Sequence, residues 1–261
     1  MPHTLTIDQS SLARLDARGY TTIEALTDAG LGQSPTHARP NAFVCIDGKT
    51  YWVKGRAQQG LVAELIAGRL AAELDAGPMA RVIRVTVEVL PHGGTADHLQ
   101  GVVAGLEDLP GTVNGRDLAP FIANGRFQPG LVEPASRARV VVFQTWIGAG
   151  DSQVLVRLSD GTVFSIDHGD CFGSTAGQTD PTVVLTAIPG VPPEVGKEAR
   201  YVSPAVEQIE SITDGKLLEA VAGVPMGGEW RSPVERRVQI ASWLAYRRGR
   251  LREVMRAWIR T

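Results

Sequence analysis

Two aspartates bracket the stretch GDSQVLVRLSDGTVFSID, residues 150–167: Asp151 follows an apolar run and Asp167 closes a second one. Two carboxylates that converge could share the work of phosphoryl transfer, one holding a divalent cation and the other orienting or deprotonating an acceptor hydroxyl. That chemistry also needs a cation for the nucleotide phosphates. Lys54 ends an apolar run upstream, and Glu64, ten positions later, could fix its ammonium by an ion pair. Each residue has a plainer use as well. Asp151 could cap a turn after Gly150, Asp167 could accept backbone N–H groups entering HGDCFG, and Glu64 could sit near the first turn of a helix, where negative charge is favoured.

Hydrophobic periodicity outlines the elements that must position these groups. The runs AFVCI and TYWVK flank DGK, residues 47–49, and read as a hairpin that ends at Lys54. LVAELIAGRLAAEL, residues 61–74, reads as a helix with a broad apolar surface. RVIRVTVEVL, residues 81–90, resumes as strand, and GVVAGLEDLPG turns loop-like around Gly105, the expected junction between units 1–105 and 106–261. Residues 140–147 read as a buried helix despite their valines, because Gly148 and Gly150 supply a stop. Residues 154–158 and 162–166 form a hairpin around SDG, which would bring Asp151 and Asp167 close although sixteen positions separate them.

The flanking regions are less specific. Residues 11–29 suit one or two short helices broken by Gly19 and stopped by Gly30, a pattern that could touch a nucleic-acid backbone but lacks basic residues. The segment GLGQSPTHARPN, residues 30–41, could lay backbone N–H groups against phosphates or be an ordinary surface loop. Two helices close the chain, 205–222 interrupted at Gly215 and 233–259 with a pause near Gly249. The arginine-rich face of the last one fits a solvated globular helix better than a membrane-surface or RNA-contacting one.

Composition sets outer bounds. A chain of 261 residues, 43% hydrophobic, can fill a sizeable core, and a formal net charge of -2 supplies no global field for nucleic acid or anionic membrane. Cys45 and Cys171 are too few for a disulfide framework and match no metal-ligand spacing. With no basic leader and no apolar run near the roughly 18 residues of a membrane span, a cytoplasmic setting is expected. His168 is expected to make local hydrogen bonds, and Cys171 to be a small buried residue.

On TYWVKG, QGLVAELIAGRLAAEL and WIGAGDSQVLVRLSDGTVFSIDHGDCFG, in that order, the chain resembles the HipA-like kinase family over residues 30–173. The resemblance implies an α+β, two-lobed protein-kinase-like fold, with a small β-rich N-terminal lobe and a mainly helical C-terminal lobe. It implies a phosphotransferase using ATP and magnesium on a hydroxyl acceptor, with a protein serine or threonine ahead of a small molecule. By the same resemblance Lys54 contacts phosphates and Glu64 supports it, Asp151 is catalytic and Asp167 binds the metal. The loop bearing Gly30, Gly32 and Ser34 covers the phosphates, and Val103, Gly105 and Leu106 lie at the adenine site. One departure stands out. Relatives place a basic residue directly after the catalytic aspartate and a metal-binding asparagine a few positions on, whereas this chain has Ser152 and Gln153. Gln153 has the right amide chemistry on a longer side chain, so it is either a replacement ligand or the mark of a nucleotide-binding protein with impaired catalysis.

Overall fold

The computed structural model describes residues 8–30, 41–54, 60–90, 97–172, 183, 188 and 190–260. Helix α1 (Gln9–Asp16) is capped by Asp8, whose carboxylate accepts from Ser10 N–H. Strands β1 (Thr22–Asp28), β2 (Asn41–Cys45), β3 (Thr50–Lys54), β4 (Ala80–Val85) and β5 (Gly101–Glu107) close into a barrel in the order β1-β2-β3-β5-β4. Phe43, Cys45, Tyr51, Val53, Ile83, Val85 and Val103 fill it. Alternation follows from the pleat: Tyr51 and Val53 point inward, so Trp52 and Lys54 face out. Helix α2 (Leu61–Glu73) packs on the barrel, crossing so near that a Cβ on Gly68 would lie 2.5 Å from Ala80 Cβ.

A second, three-stranded sheet has the order β6-β7-β8, made of β6 (Thr112–Asn114), β7 (Gln153–Arg157) and β8 (Val163–Ile166). Short α3 (Ala119–Ala123) and the buried α4 (Pro134–Ile147) pack beside it, with Leu118, Phe127, Val140, Val154, Val156 and Val163 in one core cluster. Helices α5 (Ala199–Glu210), α6 (Asp214–Val221) and α7 (Val234–Arg260) complete the largest core together with α2 and α4. No helix among the described residues is long and apolar enough to cross a membrane.

Four elements depart from the sequence expectation. The second half of the expected helical unit at 11–29 is strand β1, because Ile23 and Ala25 alternate into the barrel while the backbone pairs with β4 and β2. The strand expected over 81–90 ends at Val85, beyond which residues 87–89 form a 3-10 turn. Expected helix 205–222 is two helices that begin earlier, at Ala199. They break before Thr213, whose hydroxyl caps α6, so Gly215 lies inside a first turn. Gly249 does not interrupt α7, since Leu244, Leu251, Met255 and Trp258 anchor the helix to the core on both sides of it. The junction expected at residue 105 falls within β5, which runs to Glu107.

Helix α7 also secures the end of α4. Gly148 caps α4 in the left-handed conformation, and buried Arg247 donates to the carbonyls of Trp146 at 2.8 Å and Thr145 at 2.5 Å. Its guanidinium stacks on the Trp243 ring at 4.5 Å, and Trp146 Nε1 donates back to Leu244 O at 2.9 Å. Of the last carbonyls of α4, Trp146 O is thus satisfied from α7, Thr145 O gains a second donor beside Gly148 N–H, and Ile147 O accepts from Phe172 N–H. Replacing Arg247 with Leu removes the donor to the buried Trp146 carbonyl, at an expected loss of about 1–3 kcal/mol in unfolding free energy. A urea transition should show this as a lower midpoint at unchanged slope.

Candidate active site

Lys54 ends β3 on the outward face of the barrel, held in register opposite Ala104 of β5. Helix α2 brings Glu64 against it, fully buried, with Glu64 Oε2 2.5 Å from Lys54 Nζ. The same Nζ forms an ion pair with Asp167 Oδ1. Asp167 follows β8 in the left-handed backbone region, φ 57°, a conformation that Asp tolerates better than most residues. The turn lets its carboxylate reach Lys54 while the next N–H, of His168, donates to Glu64 Oε2 at 3.0 Å. A left-handed Gly60 at the start of α2 approaches the same loop, where any Cβ would lie 2.2 Å from Gly169 O. Only glycine fits between them.

A buried polar chain runs from Glu64 to the loop that carries Asp151. His168 Nδ1 faces Glu64 Oε1 at 3.4 Å, and neither atom has another hydrogen-bond partner among the described residues. His168 Nε2 lies 2.9 Å from Ser165 Oγ, which accepts from Gln144 Nε2 at 3.0 Å. The Glu64 carboxylate can only accept, so the ring proton lies on Nδ1, toward Glu64, and Nε2 accepts from the Ser165 hydroxyl. Gln144 also donates to Gln153 O at 3.3 Å and accepts from Ser152 Oγ. His168 therefore makes local hydrogen bonds, as its sequence context implied.

The two aspartates meet at one amide. Gln153 Nε2 donates to Asp167 Oδ2 at 2.6 Å and to Asp151 Oδ2 at 3.3 Å, because the two carboxylates flank the open end of the β7–β8 hairpin, where Gln153 pairs with Ile166. A single nitrogen of Arg116, Nη2, donates to both oxygens of Asp151 at 3.0 and 3.1 Å. Sequence reasoning missed Arg116, because its place depends on β6 pairing with β7 across a gap of some forty residues. It also missed Gln144 and Ser165, which look like ordinary polar residues in a helix and a strand.

Of the residues tied to the nucleotide by resemblance, Lys54 belongs to this cluster, and Val103, Gly105 and Leu106 lie on β5. Gly30 ends the described part of its loop, with its N–H on Asp28 Oδ1 at 3.0 Å; Gly32 and Ser34 lie outside the described residues. Val103 is fully buried inside the barrel, and a Cβ on Gly105 would sit 2.7 Å from Ile83 Cγ1, also inside. Leu106 faces the opposite way, toward α2, in register with Trp52. Trp52 shares the face of Lys54, and its indole N–H donates to Asp108 Oδ1 at 2.7 Å just past the end of β5.

Among the described residues, no group of three or more His, Cys, Asp or Glu side chains gathers at a point suited to a metal. Magnesium in nucleotide sites is commonly held by one or two carboxylates together with the phosphates, and here two carboxylates share one small donor. The Asp167 carboxylate, with the oxygen-bearing side-chain amide of Gln153 in contact with it, has the donor chemistry such an ion takes.

Electrostatics fix the buried end of the cluster. Burial by itself would raise the Glu64 carboxyl, but His168 and the Lys54 ammonium overcome it and hold the group at about 2, down from 4.5. Lys54 is raised above its ordinary value: burial opposes its charge, and the carboxylates of Glu64 and Asp167 outweigh burial. A carboxyl whose folded value is depressed stabilises the fold fully above its unfolded value and loses that contribution as pH falls through the folded one. Stability measured by urea titration from pH 5 to 2 should fall with acidification, and Glu64→Gln should flatten that slope between about pH 4.5 and 2.

No protein-family model matches the sequence, and no curated protein shows significant similarity to it. Among solved structures the chain is similar to the proinflammatory kinase CtkA of Helicobacter pylori, with a TM-score of 0.56 and 12% identity over 92% of this chain and 98% of that one. The Golgi casein kinase aligns at a TM-score of 0.40 and 10% identity, covering 99% of this chain and 76% of that one. Its structure with Mn/ADP bound aligns at 0.39 and 10%, covering 97% and 76%. The likeness to CtkA spans nearly both chains and establishes a kinase-like, mixed α/β fold.

Proposed function

We propose that the chain is an ATP- and magnesium-dependent phosphotransferase of the HipA-like kinase type, which moves the γ-phosphoryl group to a hydroxyl acceptor. The observation that carries this reading is the Lys54 ammonium, held by buried Glu64 and shared with Asp167, with Asp151 one amide away. In this reading the barrel with α2 is the small lobe, expected as 1–105 and extended to the end of β5 at Glu107, and the rest of the expected unit 106–261 is the catalytic lobe. Lys54 receives the phosphates. Asp167 and Gln153 are the metal ligands, and Asp151 takes the proton of the acceptor hydroxyl. Gly30, Gly32 and Ser34 belong to the loop over the phosphates, and the β5 segment with Val103, Gly105 and Leu106 flanks the base. Bound magnesium supplies charge neutralisation at the phosphate oxygens. A protein serine or threonine is the first acceptor class and a small-molecule alcohol the second. Two buried, unpaired cysteines fit a reducing compartment, and we place the protein in the cytoplasm.

One feature favours a second reading, a nucleotide-binding module without transfer. Both oxygens of Asp167 are engaged within the protein, Oδ1 by Lys54 and Oδ2 by Gln153. Turnover separates the two readings. ATP hydrolysis or autophosphorylation is expected in the native protein and should fall by about 10²–10⁴-fold in Asp151→Ala, while nucleotide binding persists. Asp167→Asn should instead abolish the magnesium dependence of nucleotide binding seen by calorimetry. Nucleotide binding with no turnover in the native protein selects the second reading, and full activity in Asp151→Ala refutes the assignment of the base.

A further inference from the structure

We propose that Arg116 is a further catalytic residue: it leaves Asp151 and binds the phosphoryl group during transfer. This rests on the phosphotransferase reading above. The mounting of Arg116 is rigid although its side chain is half exposed. It follows β6 in a short 3-10 turn (Gly115–Asp117) whose first residue packs onto β7, where a Cβ on Gly115 would lie 2.8 Å from Val154 Cγ2. Asn114 Oδ1 accepts the Arg116 N–H at 2.9 Å, and Asn114 itself is paired with Leu155. The backbone of residue 116 is thereby set beside the strand that carries Gln153.

The contact with Asp151 is of a kind that exchanges readily. Only Nη2 is used, bridging both oxygens, in place of the two-nitrogen fork that makes arginine–carboxylate pairs strong. Both side chains are 53% exposed, and pairs so exposed contribute little to stability. A phosphoryl group offers more charge and three oxygens to the same planar donor. The charge balance of the site points the same way. Glu64, Asp151 and Asp167 are three carboxylates, and Lys54 already serves two of them. Ser152, next to Asp151, brings no charge and donates to Gln144.

The two tasks of Asp151 and Arg116 are therefore coupled. While Arg116 bridges Asp151, both carboxylate oxygens are occupied; when the guanidinium turns to the γ-phosphoryl oxygens, a carboxylate oxygen opens for the acceptor hydroxyl. The hydroxyl oxygen then bonds to the γ-phosphorus and its proton passes to Asp151. The bond from that phosphorus to the bridging oxygen breaks, and its electron pair leaves on ADP. Arg116 donates N–H hydrogen bonds throughout and keeps its proton.

The test compares native protein with Arg116→Ala and Arg116→Lys. Turnover should fall by ~10³-fold in Arg116→Ala and recover when guanidine is added, with Arg116→Lys in between. ADP affinity in magnesium buffer should be unchanged in both variants. The tightening of ADP binding by aluminium fluoride, a mimic of the phosphoryl group in flight, should be lost in Arg116→Ala. Thermal midpoints of all three should agree, which separates a chemical role from a structural one. Native-like turnover and aluminium fluoride response in Arg116→Ala overturn the proposal, as does an equal loss of plain ADP affinity. An inactive native protein overturns instead the phosphotransferase reading on which it rests.

Discussion

A carboxylate with no exposure to water dictates how this molecule is put together. Glu64 stays ionised inside the protein only because Lys54 and the His168 N–H and ring surround it, and these partners come from β3 and from the turn after β8. Removing Lys54 would leave that charge buried without its compensating cation, which is among the costliest defects a fold can carry. The ion pair is thus a joint among barrel, helix and second sheet. The side chains that hold the joint leave Lys54 and Asp167 partly exposed, at 22% and 35%.

The rest of the site is built outward from that joint by hydrogen bonds whose partners are themselves fixed. Gln144, deep in α4, ties Ser165 of β8 to the loop at Ser152 and Gln153. Arg247 and Trp243 of α7 close the end of α4 just before that loop, and Trp243 meets Phe172 edge to face at 6.2 Å. The segments after α4 and after β8 are also joined directly, through Gly150 N–H to Asp170 O at 2.7 Å and Phe172 N–H to Ile147 O at 3.0 Å. Asp151 and Asp167 consequently belong to one cross-linked unit that rests on the largest core.

Much of this was legible in the sequence wherever the signal is local. The DGK hairpin leading to Lys54, the apolar helix carrying Glu64 and the SDG hairpin lie where their periodicity and turn residues placed them, and the valine-rich helix stops at Gly148 as expected but begins at Pro134, six residues before the expected start. Misreadings occurred where long-range pairing outweighed local preference. TIEALTD is a strand because β2 and β4 lie on either side of it, and Gly249 stays helical because core contacts on both sides outweigh the modest cost of one glycine. Arg116 carried no signal at all, since nothing near it in the chain shows that β6 adds to the far edge of the β7–β8 hairpin.

The order lysine, glutamate, aspartate, aspartate, and the short elements carrying them, were determined by the sequence alone, because residue type and periodicity act within a few positions of the chain. The tertiary structure decided what those groups touch. It set Gln153 as the amide between the two carboxylates, His168 as the partner of Glu64, and Arg116 as the cation on Asp151. Hydrogen bonds and ion pairs depend on separations of about 3 Å between atoms. For residues far apart in the chain, only the packing of barrel, helices and second sheet sets those separations.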